Sequence, residues 1–151
     1  MPRAWIKKGI NREVPSKKSE NLNVCGLYSR DNQFISYTFT GKIDSEILTR
    51  TFNNFVQEIN SSKISYIVLD NAPTHRSGFF QKNILEWETQ FNVKFFFLPT
   101  YSPELNLIEI LWKRIKHSWL PFKAFESFIT LKNHLNFIIA NIGKKYIITF
   151  A

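Results

Sequence analysis

Two acidic side chains occupy positions where a carboxylate could hold a cation or act on a substrate. Asp70 directly follows the apolar run Tyr66–Leu69, where it faces desolvation unless a cation or several donors compensate it. Glu109 lies 39 positions later, beside the apolar stripe of PELNLIEILWKRIK. Hard divalent cations bind through such oxygens, and two ions about 3.5–4 Å apart can activate a nucleophile for phosphodiester cleavage. Such a site usually needs a third carboxylate, and the sequence offers two good candidates.

Each of the two acidic residues also has a purely structural interpretation. Asp70 could simply accept hydrogen bonds from the turn Asn71–Thr74, as Asp commonly does after a strand. Glu109 could form an exposed i,i+4 pair with Lys113, worth only about 0.3–0.5 kcal/mol. On position alone the two interpretations of Asp70 are balanced, and the simple ion pair is favoured for Glu109.

The strands that must position these residues are indicated by composition and alternation. LNVCGLY and FISYTFT predict a β-hairpin with Asp31 and Asn32 near its tip. The continuous apolar runs ISYIVL and VKFFFLP predict two strands buried on both faces, as in the middle of a helix-covered sheet.

The helices are indicated by apolar residues three and four positions apart. A first helix is predicted after a cap at Asp44 or Ser45, and a second over Phe79 to Phe91. A third is predicted to start at Ser102-Pro103, and a last one over Phe125 to Ile142. The order β-β-α-β-α-β-α-α predicts an α/β domain built around a mixed sheet flanked by helices.

Composition and charge indicate the class of partner. The 151 residues are 44% hydrophobic, enough for one domain with a real core, and no apolar run is long enough to cross a membrane. With 20 Lys and Arg against 12 Asp and Glu, the net charge of +8 favours a polyanion such as DNA. Lys113, Arg114 and Lys116 form a basic stretch that is equally consistent with phosphate contacts and with a solvated helix face. The spacing of the three His residues and the single Cys25 does not match a zinc site.

Two long motifs resemble one known family. DNAPTHRS at 70–77 and LPTYSPELNLIEILWKRIK at 98–116 resemble the carboxyl-terminal signatures of DDE transposases, particularly the bacterial insertion-sequence branch of the mariner superfamily. The resemblance implies an RNase H-like fold, Mg²⁺ or Mn²⁺ as cofactor, and cleavage and strand transfer on transposon-end and target DNA. Residue by residue, it implies that Asp70 and Glu109 are the second and third acidic ligands. It further implies that Asn71, His75 and Asn106 support them.

The first acidic ligand of that family has no counterpart in this sequence. Asp31 in the hairpin turn and Asp44 at a helix start are the only Asp residues before Asp70, and neither matches. We therefore expect a basic lead over 1–20 and a partial RNase H-like catalytic domain over 21–151, with the amino-terminal strand missing.

Several expectations about activity and partners follow from this departure. The chain is expected to be inactive alone and to lie in the cytoplasm of a bacterium near the nucleoid. The expected protein partners are a second chain that supplies the missing strand, and a second copy of this chain in a homodimer. The alternatives are a non-catalytic DNA-binding remnant and another RNase H-like nuclease such as a resolvase. The SPELNLIEILW motif disfavours the resolvase.

Overall fold

The computed structural model describes residues 20–150, which form a mixed α/β fold. The described strands are β1 (Leu22–Tyr28), β2 (Phe34–Thr40), β3 (Ser65–Leu69) and β4 (Val93–Phe97). The described α-helices are α1 (Ser45–Glu58), α2 (Gly78–Gln90), α3 (Leu107–Arg114) and α4 (Phe128–Ala140). The predicted order of elements is therefore confirmed for this part of the chain. Most of the predicted basic lead, residues 1–19, lies outside the described residues.

β1 and β2 form the predicted antiparallel hairpin. The register runs from Leu22 opposite Thr40 to Tyr28 opposite Phe34. Asn32 adopts a left-handed conformation with φ of 62° at the tip, which Asn tolerates better than most residues because its short polar side chain bonds locally. The predicted location of the turn at Asp31 and Asn32 is thus confirmed.

β3 and β4 form a separate parallel pair connected by α2. Ser65 lies opposite Val93, and Leu69 opposite Phe97. Helices α1 and α2 bury one face of this pair, and the capping of both helices follows the sequence, with side chains of Asp44 and Ser77 accepting from the first turns. The resulting core, called core A, has the buried residues Leu48, Phe52, Phe55, Val56, Ile67, Leu69, Phe80, Ile84, Trp87 and Val93.

The opposite face of the β3–β4 pair is open, and the prediction of strands buried on both faces is wrong. Tyr66, Val68 and Phe96 are 66%, 49% and 54% exposed. Ile67 and Leu69 alternate with them and are buried in core A. The apolar runs predict burial on both sides, but within residues 20–150 the helices of core A cover only one side.

A second core, called core B, joins α3 and α4 to the hairpin. Its buried residues are Leu111, Ile115, Leu135, Ile138, Ile142 and Ile148. Leu22 and Val24 of β1 pack against core B, whereas Cys25 and Leu27 pack against core A. Successive residues of a strand point to opposite faces, so the hairpin is covered on both sides.

The helices of core B begin and end differently from the prediction. Ser102-Pro103 starts a 3₁₀ turn, Pro103–Leu105, and the α-helix begins only at Leu107. After Arg114 the chain continues through a π-helical turn, Ile115–Trp119, and a 3₁₀ segment, Phe122–Glu126, before α4. Periodicity shows where apolar residues share a face, but it does not separate α from tighter or wider turns.

The single mixed sheet that was predicted is not observed within residues 20–150. The described strands form two sheets of two strands each, β1–β2 and β3–β4. Both sheets pack against α1, since the Phe55 ring lies 5.3 Å from that of Tyr37 in β2 and the Phe52 ring 6.4 Å from that of Phe95 in β4. Among these residues no helix has the length and hydropathy needed to cross a membrane.

Candidate active site

Asp70 lies at the carboxyl end of β3, where the chain leaves the sheet. The backbone N–H of Ala72 donates to its Oδ1 over 3.0 Å, and Nδ1 of His75 lies 2.8 Å from the same oxygen. Within residues 20–150, Oδ2 has no hydrogen-bond partner, and the side chain is 45% exposed. One oxygen of the carboxylate is therefore fixed by the turn, and the other is available to a ligand.

His75 is held by its surroundings in the orientation that this contact requires. Its side chain is only 17% exposed, and its ring centroid lies 6.0 Å from that of Phe52 and 5.4 Å from that of Phe80. Its carbonyl accepts a 2.7 Å hydrogen bond from the side-chain amide of Gln81 in α2. Because an ionised carboxylate can only accept, Nδ1 carries the proton in this contact. Core A thus orients Asp70 through His75.

Asn71 joins the end of β3 to the segment that follows β4. Its Nδ2 donates to the carbonyl of Leu98 over 2.5 Å, and the N–H of Leu98 donates to the carbonyl of Leu69 over 2.8 Å. Its Oδ1 accepts from Nε of Arg76 over 2.8 Å and also from Nη2. The amide therefore links both strand ends to an arginine.

The sequence analysis did not single out Arg76. Its guanidinium lies over the ring of Phe97, 4.3 Å from the centroid, in addition to contacting Asn71. Phe97 is 21 positions further along the chain, so no local spacing pairs the two residues. The parallel pairing of β3 and β4 brings their carboxyl ends, and hence these side chains, together.

Glu109 lies in the first turn of α3, and its side chain is exposed. Its N–H donates to the carbonyl of Asn106 over 3.0 Å, while the side chain of Asn106 forms no cap hydrogen bond. No ion pair with Lys113 occurs in the part of the chain that the structure describes, so the simple i,i+4 explanation of Glu109 is not observed. A carboxylate in a first turn is favoured by the positive end of the helix dipole.

The structure brings His75 and Asn71 to the Asp70 turn, and it puts Asn106 and Glu109 together at the start of α3. Within residues 20–150, Asp70 and Glu109 belong to no group of three or more side chains that could hold a metal ion. The predicted DNA contacts Lys113, Arg114 and Lys116 are exposed at the end of α3 and in the following π-helical turn.

The comparison with protein families identifies the type of domain. The family model described as a DDE superfamily endonuclease matches residues 1–132. The chain belongs to this family. The family is one of endonucleases, and nucleases of this superfamily generally use divalent metals.

A curated relative of this chain is the uncharacterized protein y4pE/y4sA of Sinorhizobium fredii (strain NBRC 101917 / NGR234). The two are 23% identical over 91 residues, which is 60% of this chain and 62% of the relative. The chain thus spans less than two thirds of that relative's length. No solved structure matches.

The other two Asp residues of the chain have local structural roles. Asp31 accepts from the hydroxyl of Ser29 over 2.5 Å and from the amide of Gln33 over 3.0 Å, and the bond from Ser29 lowers the pKa of its carboxyl. Asp44 accepts from the N–H of Ile47 over 2.8 Å as the cap of α1. Both lie where the sequence analysis put them, in the hairpin turn and at a helix start.

The donor chemistry at Asp70 fits a hard cation, but the ligand set is incomplete. A carboxylate with one free oxygen and partial solvent access is the type of ligand that Mg²⁺ and Mn²⁺ take. Residues 20–150 contain no group of three or more His, Cys, Asp or Glu side chains that could hold a metal ion. A metal site at Asp70 therefore needs ligands in addition to the side chains that lie together within residues 20–150.

Proposed function

We propose that this chain supplies the second and third acidic residues, Asp70 and Glu109, of a DDE transposase of the mariner superfamily, in its bacterial insertion-sequence branch. The enzyme would cut DNA at transposon ends and join it to target DNA with Mg²⁺ or Mn²⁺. The observation that carries the proposal is the Asp70 turn, in which Ala72 and His75 fix one carboxylate oxygen and leave the other for a cation.

Each residue of the site has a separate task in this proposal. Asp70 would hold the cation with the carboxylate oxygen that its turn leaves free. Glu109 would hold it with an exposed carboxylate that no ion pair within residues 20–150 neutralises. His75 and Asn71 hold the conformation of the turn after β3, and Asn106 supports the start of α3. The bound cations would activate the nucleophilic water or 3′-hydroxyl and stabilise the leaving oxygen. Lys113, Arg114 and Lys116 contact backbone phosphates.

A third acidic ligand would come from an additional β-strand. Within residues 20–150 each strand pairs with only one other, so β1 and β3 each have an edge that no described strand occupies. Unpaired edges are templates for pairing with a further strand. We propose that such a strand, carried by a second chain of different sequence, brings the missing Asp.

The test combines metal binding with DNA cutting by the purified chain. Mn²⁺ binding is titrated by electron paramagnetic resonance for the wild type, Asp70→Asn and Glu109→Gln, with Glu126→Gln as the exposed carboxylate control. We expect at least about tenfold weaker binding for the first two variants, since losing a residue that only supports a metal ligand already costs about 10–100-fold in affinity. The control should bind Mn²⁺ as the wild type does. Nicking of supercoiled plasmid in Mg²⁺ or Mn²⁺ should stay at background.

Two results would overturn the proposal in different ways. Robust nicking that disappears in Asp70→Ala would show that the chain needs no further ligand. Mn²⁺ binding that responds equally to Asp70→Asn and Glu126→Gln would remove Asp70 from the metal site.

A non-catalytic DNA-binding remnant is the second candidate, and the net charge of +8 favours it. It predicts salt-sensitive binding to any DNA sequence, slightly strengthened by Asp70→Asn and Glu109→Gln because each removes a negative charge. DNA binding that requires both a divalent cation and Asp70 would exclude this candidate.

A further inference from the structure

The guanidinium of Arg76 is held in a fixed orientation although the side chain is exposed. Its Nε and Nη2 both donate to Oδ1 of Asn71, and the planar group lies 4.3 Å from the centroid of the Phe97 ring. Asn71 is itself tied to the carbonyl of Leu98 over 2.5 Å. A long flexible side chain thus loses much of its rotamer freedom before any ligand arrives, which lowers the entropic cost of binding.

The positive charge of Arg76 is not neutralised within residues 20–150. The ion pairs of this part of the chain involve Arg50, His75 and Lys94, and none involves Arg76. Two of the five N–H donors of the guanidinium go to Asn71, so three have no described partner. Asn71 supplies a neutral oxygen and Phe97 supplies a ring. Both orient the guanidinium of Arg76 without neutralising its charge. Such a group is suited to a phosphate oxygen.

Arg76 also belongs to the same turn as the candidate metal ligand. Asp70 and Asn71 are adjacent, and the contacts of His75 and Arg76 close this turn from its other end. A phosphate held by Arg76 would therefore lie at the edge of the sheet where the free oxygen of Asp70 is exposed.

We propose that Arg76 is a DNA-binding residue that holds a backbone phosphate of the substrate at this edge, with Asn71 and Phe97 as its positioning residues. The inference rests on the proposed function, because it takes DNA as the substrate. It differs from the contacts assigned to Lys113, Arg114 and Lys116 because those side chains are on α3 and the turn that follows it. Arg76 instead adjoins Asp70.

The experiment measures DNA affinity by fluorescence anisotropy with a labelled duplex, in EDTA and over a range of NaCl concentrations. Arg76→Ala is compared with Arg30→Ala, a matched loss of one exposed arginine in the hairpin turn. For Arg76→Ala we expect affinity about five- to tenfold weaker at low salt, and a slope of log affinity against log salt smaller by about 0.9, the value for one phosphate contact. Arg30→Ala should change affinity less than about twofold.

Arg76→Lys keeps the positive charge and removes the planar guanidinium, so it tests the two properties separately. It also provides a second variant if Arg76→Ala does not fold. It should keep the wild-type salt slope but bind about two- to threefold more weakly, because lysine can neither stack on Phe97 nor bond Asn71 in the same way. Unchanged melting temperature and unchanged Asp70-dependent Mn²⁺ binding in both variants would show that the loss is not structural.

The possible outcomes distinguish this inference from the proposed function. If the wild type binds DNA and Arg76→Ala behaves like Arg30→Ala, the inference is wrong and the proposed function stands. If Arg76→Lys binds DNA as tightly as the wild type, Asn71 and Phe97 do not position the Arg76 guanidinium, and their proposed role as positioning residues is wrong. If the wild type binds DNA neither in EDTA nor in the presence of Mg²⁺, the inference and the proposed function are both overturned.

Discussion

The two sheets of the molecule differ in how completely they are covered. The hairpin lies between two cores, with Cys25 and Leu27 facing core A and Leu22 and Val24 facing core B. The β3–β4 pair is covered by α1 and α2 on one side, and on the other it exposes aromatic and branched side chains. Similar apolar strands therefore reach different degrees of burial, because burial depends on the elements that pack on each face.

The two acidic residues of the candidate site are also divided between core A and core B. Asp70 follows a strand of core A, whereas Glu109 lies on a helix whose buried residues belong to core B. The hairpin contacts both cores, and the segment after β4 connects Leu98 to α3. The relative position of the two acids is thus set by the packing of both cores rather than by one rigid element.

The largest expected effect is the loss of a large ring from core A. Phe55 is fully buried and contacts the rings of Phe52 and Tyr37, so Phe55→Ala should lower the free energy of unfolding by about 3–5 kcal/mol. Leu111→Ala in core B should cost about 2–5 kcal/mol. Since the hairpin joins the two cores, urea denaturation followed by tryptophan fluorescence and circular dichroism should show one transition for both variants.

Exposed Leu85 in α2 supplies the control for this pair, and Leu85→Ala should cost less than about 0.5 kcal/mol. Two separate transitions in either core variant would show that cores A and B unfold independently.

A smaller effect separates the two faces of β3. Ile67→Thr puts a hydroxyl into core A and should cost about 2–3 kcal/mol. Val68→Thr makes a similar change on the exposed face of the same strand and should stay within about 0.5 kcal/mol. Thermal melts of both variants at several protein concentrations check this. If Val68→Thr lowers the stability about as much as Ile67→Thr does, and the loss grows with protein concentration, another molecule covers this face in solution.

The smallest expected effect is a pH dependence from the hairpin. Burial raises the pKa of the Cys25 thiol from 9.0 to about 11. The native state therefore keeps its proton at pH values where the unfolded thiol ionises, so this contribution is complete below pH 9 and is lost as the pH rises toward 11. We expect the wild type to lose about 1–2 kcal/mol more than Cys25→Ala over this range in urea titrations. Parallel pH profiles of the two proteins would contradict it.

The sequence predicted the elements well, because their signals are local. The hairpin turn at Asn32, the cap at Asp44 and the helix predicted over Phe79 to Phe91 depend on neighbouring residues. The structure contains all three, the helix as Gly78–Gln90. The helix at Ser102 was predicted too early, because a Ser-Pro pair starts a 3₁₀ turn as readily as an α-helix.

Features that depend on distant residues were harder to predict. The exposure of Tyr66 and Val68 depends on which elements cover β3, and the contact of Arg76 with Phe97 depends on strand pairing. The assignment of Asp70 and Glu109 as metal ligands stays a prediction. It came from the resemblance of two motifs, and their geometry relative to a cation is set by packing that the motifs do not encode.

The hydrogen bonds of Asn32 show that residues beyond 132 belong to the same folded unit as the hairpin. Its side chain accepts from the N–H of Ile148 over 2.8 Å and donates to the carbonyl of Ile148 over 3.0 Å, while the hydroxyl of Tyr28 donates to the same Oδ1. The match to the endonuclease family ends at residue 132, before these partners. Expression designs that end at residue 132 would remove Ile138, Ile142 and Ile148 and would remove the hydrogen bonds between Ile148 and the hairpin tip. Residues 133–151 should therefore be retained in any version intended for crystals or assays.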